Sequence, residues 1–168
     1  ANEYNSTSGT WNDLSGNQNH AKRHASPKAE LHKPSDLQVV RYHSKSNDYH
    51  EFKEIKNIRT VFWVMSKTSG NSGSPLCHPN AHHFYSNGDK FWHPKHTHEH
   101  IRKGSLRISG REANAESNYP NKLAVVSLRT TGNVVASRMG RDRNHGGKYN
   151  WNGEIGEILI FSNALNDE

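Results

Sequence analysis

Trp151-Asn152-Gly153-Glu154-Ile155-Gly156-Glu157-Ile158-Leu159-Ile160-Phe161, near the end of the chain, reads as a β-strand entered through a glycine. Strict alternation puts Ile155, Glu157, Leu159 and Phe161 on one face of it, and Ile158 and Ile160 on the other. Gly153 and Gly156 let neighbouring backbone or a large ring come close. Near the start, Trp11-Asn12-Asp13-Leu14-Ser15-Gly16-Asn17-Gln18-Asn19-His20-Ala21 has the composition of a tight turn. There the side chains of Asp13, Ser15 and Asn17 can bond nearby backbone while Gly16 supplies positive φ. Between these ends the chain shows short β-branched and aromatic runs separated by Gly, Asn, Ser and Pro, and helical periodicity is nearly absent. Leu37 to Tyr42, Ile58 to Met65, Leu76 to His78, His82 to Tyr85, Leu106 to Ile108, Leu123 to Arg129 and Val134 to Arg138 read as strands. The almost continuously apolar Ile58–Met65 reads as a central strand covered on both sides, and Thr131-Gly132-Asn133 as a turn.

The chain of 168 residues fits one domain, 1–168. Only 31% of it is hydrophobic, which suits thin sheets with long polar loops, while fifteen Trp, Tyr and Phe within strand-like runs argue against disorder. The single Cys77 excludes an internal disulfide and reads as a small buried apolar side chain. No stretch approaches the ~20 apolar residues of a membrane helix. Ala1 to Tyr4 reads as a mature start with no signal peptide. Net charge is +6, and it is uneven. Residues 151–168 hold four acids and no Lys or Arg, so all 22 bases and 12 acids fall in 1–150, a balance of +10. Such a body attracts polyanions.

The paired signatures resemble the opening and closing segments of the laminin G-like jelly roll, in the concanavalin A-like lectin and glucanase superfamily. Arg59–Val64, Leu123–Leu128 and Met139–Arg143 resemble the intervening strands and the stretch before the closing strand. The resemblance implies an all-β, two-sheet antiparallel β-sandwich (a jelly roll) that is secreted or on the cell surface. It implies a noncatalytic module binding carbohydrate, protein or calcium. Trp11 and Trp151 are expected to be structural. The apolar strand that relatives carry before the opening turn is absent or reduced to Glu3-Tyr4.

Two constellations carry the chemistry. Residues 78–100 hold seven of the thirteen histidines. In an extended chain His96, His98 and His100 would share one face about 7 Å apart, a spacing that suits zinc, copper or nickel with His82 or His93 as a fourth ligand. The alternative there is glycan contact through His82, His83, His96 and His98, with Tyr85, Trp92 and Phe91 alongside as ring platforms. The second constellation is Arg138, Arg141, Arg143, His145, Lys148 and Tyr149, in a loop before the closing strand. Arginine suits bidentate capture of oxyanions, and Asp142 can pair with its arginine neighbours. The basic run from Lys22 to Lys33 lacks interleaved aromatics and reads as a solvated face.

The expected function is therefore a noncatalytic carbohydrate-binding module for an anionic polysaccharide, sulfated or uronic, held by His82, His83, Tyr85, Trp92, His96, His98, Arg141, Arg143, Lys148 and Tyr149. It would be fused to, or work beside, a glycan-active enzyme. No cofactor is required; calcium could bind through Asp13, Asn17 or Asp142. No nucleic-acid reading motif is present. Two alternatives stand: an adhesion or protein-interaction domain, and a polysaccharide lyase built on Tyr or His with a neutralising Arg. The paired carboxylates of a glucanase are not expected, because Glu154 and Glu157 would face opposite sides of a flat strand.

Overall fold

The structure, a computed structural model, describes residues 3–24, 30–32, 37–45, 48–68, 70, 72–81, 83–143 and 149–166, with only the backbone of 30–32. In chain order the elements are β1 (Tyr4–Asn5), β2 (Thr10–Trp11), β3 (Ala21–His24), β4 (Glu30–His32), β5 (Val39–Tyr42), β6 (Tyr49–Lys67), β7 (Leu76–Cys77), α1 (Glu99–Arg102), β8 (Ser105–Ile108), β9 (Arg111–Ala113), β10 (Ala124–Met139) and β11 (Gly153–Phe161). The fold is all-β, with an antiparallel sheet and few helical residues. Among the described residues no helix is long and apolar enough to cross a membrane.

Two long strands organise the sheet. β6 and β10 pair along most of their length, but their outer neighbours change along the way. Near Tyr49–Glu51, β6 has β3 on its other edge, and the facing end of β10 has β7. Near Thr60–Lys67, β6 has β11 on its other edge, and the facing end of β10 has β8. β11 extends this second half through β5 to β4. The first half runs out through β2 to β1, so Tyr4–Asn5 does form a short edge strand opposite Trp11 and Thr10.

Three strand expectations are corrected. First, Thr131-Gly132-Asn133 is not a turn. Arg129 stands opposite Thr60 and Val134 opposite Ile58, so five steps of β10 are matched to two of β6 inside one strand. Thr130 Oγ1 holds this irregularity by donating to the carbonyl oxygen of Gly132 (2.7 Å). Second, His82 to Tyr85 is not a strand; His83 makes only an isolated bridge to Cys77, and His82 lies outside the described residues. Third, the faces of β11 change partway along. Ile155 pairs with Met65 and Glu157 with Val64, a bulge at Gly156. Beyond it Ile158 and Ile160 pack against the core while Glu157, Leu159 and Phe161 are exposed. Glu154 and Glu157 consequently lie on the same face. A Cβ at Gly156 would meet Val39 Cγ1 at 3.4 Å, an ordinary contact, so this glycine marks the bulge and not a close approach.

In β6, Val61, Trp63 and Met65 are fully buried, whereas Phe62 and Val64 are only partly so. The strand is central in the sheet, but only one of its faces is core. Trp63, Trp92, Trp151, Phe84 and Phe91 make up the bulk of that core, with Tyr119 stacked on Phe91 (3.8 Å between centroids). Beneath them the Lys67 ammonium, 1% exposed, donates to the Gly88 carbonyl (2.8 Å), faces Asp89 and lies 5.9 Å from the Tyr119 and Trp151 rings. Burial lowers its pKa, and Asp89 works against that. The opening turn forms as its residues dictate: Asp13 accepts from the Ser15 and Asn19 amides (2.9 and 2.8 Å), and Gly16 has φ +83°.

Cys77 is buried, and its thiol pKa is pushed up to about 12, chiefly by burial and then by Asp142. Little thiolate therefore forms at mildly alkaline pH. Iodoacetamide at mildly alkaline pH is therefore expected to leave the native protein unlabelled over the time in which denatured protein reacts fully. Equal labelling rates in the two states would contradict this burial.

Candidate functional site

The histidine-rich loop and the arginine loop meet around Tyr85. Its ring lies 5.8 Å from Tyr149, 5.8 Å from His93 and 6.2 Å from His96, centroid to centroid. Its pKa is raised, first by burial and also by Asp142 and Tyr149, against the opposing effects of Ser72 and Arg143. Behind it sits Asp142, a carboxylate 2% exposed. Asp142 Oδ1 accepts a long hydrogen bond from Ser74 Oγ (3.5 Å) and stands 3.9 Å from His83 Nδ1; its Oδ2 stands 3.6 Å from Arg143 Nε. Arg143 itself is 41% exposed and takes φ +21°, a backbone geometry rare outside glycine. The assembly is thus a buried carboxyl group beside one half-exposed guanidinium, with aromatic and imidazole rings on one side.

Local chemistry explains why the loop adopts this shape. Pro94 follows His93, and His93 Nδ1 accepts from the amides of Lys95 (3.1 Å) and His96 (3.2 Å), closing a turn. Thr97 locks it, its hydroxyl donating to the Tyr85 carbonyl (2.5 Å) while its oxygen accepts from the His93 amide (3.0 Å). The chain then enters α1, with His98 as its N-cap accepting from the His100 amide (3.2 Å).

The alternating histidine triplet is therefore corrected: this segment is a turn and a helix start, not extended. The rings form two separate pairs, His93 with His96 at 4.3 Å and His98 with His100 at 5.1 Å. Among the described residues no group of three or more His, Cys, Asp or Glu converges as a metal cluster. His93 and His98 also have lowered pKa values, first from burial and then from the neighbouring imidazoles, so both resist becoming cations.

Of the expected ligand residues, His83, Tyr85, His96, Arg143 and Tyr149 come together. Trp92 is a correction: it is 1% exposed and packs edge-on against Phe84 (6.3 Å) and Phe91 (5.4 Å), so it supports the core and offers no ring to a sugar. His98 serves as a helix cap. Arg141 lies over the Tyr49 ring at 4.8 Å, beside Arg138, which is paired with Glu51 (2.9 Å). His82 and Lys148, with His145, lie outside the described residues. His93, expected only as a fourth metal ligand, is one of the rings around Tyr85. Asp142 is expected from the sequence as an arginine partner and as a calcium ligand; nothing in the sequence marks it as the buried centre.

A second concavity lies at the end of β5, β6 and β11. It is an open groove of about 360 Å³ lined by Arg41, Tyr42, His43, Ser66, Thr68, Asn121, Asn152 and Glu154. Arg41 binds Glu154 Oε1 through two nitrogens (3.1 and 2.5 Å), and Ser66 Oγ donates to Glu154 Oε2 at 3.3 Å. The carboxylates of Glu154 and Glu157 thus share a face, but Glu154 is bonded to Arg41 and Ser66 while Glu157 stands exposed.

Compared with known proteins, the chain matches no family model, no curated protein and no solved structure.

Proposed function

We propose that this chain is a noncatalytic carbohydrate-binding domain that holds an anionic polysaccharide across the Tyr85–Tyr149 cluster. The observation that carries the reading is the convergence of two distant loops, which sets His93, His96 and Tyr149 around Tyr85 and sets His83 and Arg143 beside buried Asp142. In this reading Arg143 takes the sulfate or carboxylate. Its guanidinium carries five N–H donors, of which Nε faces Asp142. The tyrosine and imidazole rings contact the sugar faces. The Asp142 carboxylate, 3.6 Å from Nε, draws the guanidinium toward one position before the ligand arrives, which lowers the ordering cost of binding. The rare backbone geometry at Arg143 fits a functional position.

The finer fold reading belongs to the same proposal. A laminin G-like jelly roll has two sheets, and the change of partners along β6 and β10 supports two half-sheets sharing bent strands. The domain would be secreted and would work beside a glycan-active enzyme, with no cofactor required. A polysaccharide lyase is the second reading, favoured by the closeness of Tyr85, His83 and Arg143 to Asp142. It would be recognised by growth of ultraviolet absorbance from an unsaturated uronate product.

Affinity electrophoresis in gels of sulfated galactan, a uronic acid polymer and a neutral glucan tests the proposal. Retardation is expected in the two anionic gels. Arg143→Ala is expected to weaken it about tenfold or more while the chain stays folded by circular dichroism. Retardation by the neutral glucan alone would sink the anionic reading, and none in any gel would favour an adhesion domain.

A further inference from the structure

We propose that the groove at the end of β5, β6 and β11 is a second saccharide subsite, one for an uncharged, hydroxyl-rich sugar unit. The inference rests on the glycan-binding reading above but uses none of its residues.

The groove's chemistry differs from that of the Tyr85 cluster. Its two opposite charges, Arg41 and Glu154, are bonded to each other, so the wall carries no net charge to draw an anion. The rest of its polar lining consists of hydroxyls, carboxamides and one imidazole: Ser66, Thr68, Asn121, Asn152 and His43. Such groups both donate and accept, which is what vicinal sugar hydroxyls require. Arg41 spends Nε and one terminal nitrogen on Glu154, and at 37% side-chain exposure it presents the remainder of its donor fork to the groove and solvent. Glu154, at 15%, stands against the wall with Ser66 on its second oxygen.

These side chains are held in advance. Glu154 lies opposite both Arg41 on β5 and Ser66 on β6, so strand pairing sets their spacing. The Thr68 amide donates to the Asn152 carbonyl (2.9 Å) and the Lys67 amide to the Pro120 carbonyl (2.8 Å), joining the two asparagine-bearing segments to the end of β6. A preformed polar site loses less entropy on binding. The volume of about 360 Å³ is at the lower end of small-ligand sites, roughly 300–1,000 Å³, and suits a sugar unit better than a large apolar ligand.

The test is amide chemical-shift mapping of the full chain with short neutral galactan, glucan and mannan oligosaccharides, run beside a sulfated galactan oligosaccharide. At least one neutral probe is expected to shift the amides of Thr68, Asn121 and Asn152, with an affinity insensitive to salt. The double variant N121A/N152A is expected to bind that probe about tenfold more weakly while keeping the native spectrum elsewhere. The proposal is overturned if no neutral probe moves those amides, if neutral probes move only those of Tyr85 and Tyr149, or if the double variant binds as well as the unaltered chain. Failure of the sulfated probe to shift Tyr85 and Tyr149 would count against the anionic site instead, so the two failures are separable.

Discussion

Gly153→Ala is expected to destabilise the protein by about 3 kcal/mol. A Cβ at Gly153 would lie 2.2 Å from the Ser66 carbonyl oxygen and 2.9 Å from Lys67 Cα. Both are backbone atoms of β6, so no side-chain rotation relieves the clash, and the entry of β11 must separate from β6. The same shift would disturb Glu154, the next residue, and with it the Arg41 pair. For a chain of this size the loss corresponds to roughly 6–12 °C in thermal midpoint. Gly156→Ala is the control: with only ordinary contacts waiting for its Cβ, it is expected to cost less than about 1 kcal/mol. Urea unfolding of both variants decides the matter; equal midpoints would contradict the close approach at Gly153.

Acidification is expected to destabilise the fold through His50. This ring is fully buried among Tyr4, Trp11 and Tyr42, and its Nδ1 meets the Tyr42 hydroxyl at 2.8 Å. Burial, and secondarily the Arg23 charge, lowers its pKa from 6.5 to about 3. The unfolded chain therefore takes up a proton near pH 6.5 that the folded chain refuses until about pH 3. The contribution is fully present above pH 6.5 and is lost progressively as pH falls toward 3. Each unit in that window is worth about 1.4 kcal/mol, so the step from pH 6.5 to 4.5 costs on the order of 3 kcal/mol from this group. His50→Phe keeps an aromatic ring and removes the titration. It is expected to be less stable than the natural chain at pH 7, where Tyr42 loses its partner, and to close that gap by a few kcal/mol at pH 4.5. A gap that stays constant between the two pH values would remove His50 as the cause. His93 and His98, also lowered, act in the same direction.

Much of the fold could be read from the sequence, because strand identity is a local property. The β-branched and aromatic run at Ile58–Met65, the opening turn built on Asp13 and Gly16, and the closing strand all appear where their residue types put them. What could not be read depends on register. One extra residue at Gly156 reverses which of Glu157 and Ile158 faces the core, and alternation alone cannot reveal a bulge. The apparent turn at Thr131–Asn133 is absorbed into β10, where the Thr130 hydroxyl donates to the Gly132 carbonyl.

The candidate site follows the same division. The clustering of histidines and arginines in the two loops that meet at Tyr85 and Tyr149 was visible in composition. That Asp142 lies buried beneath them, and that Trp92 turns inward, was not; the first depends on packing against Ser74 and His83, far away in the sequence, and the second on which side of the loop meets Phe84, Phe91 and Tyr119. The groove of Arg41, Ser66 and Glu154 left no trace at all, since strand pairing alone assembles it.

The proposed function stands or falls on whether the aromatic cluster of Tyr85 and Tyr149, with Arg143, holds an anionic glycan. Titration calorimetry with a sulfated galactan at low and high sodium chloride tests it most directly, using the natural chain and Arg143→Ala. Binding at low salt that weakens about tenfold or more as the screening length shortens, and that is largely lost in Arg143→Ala, is the predicted result. Affinity that ignores salt, or an Arg143→Ala variant that binds as tightly as the natural chain, would contradict it.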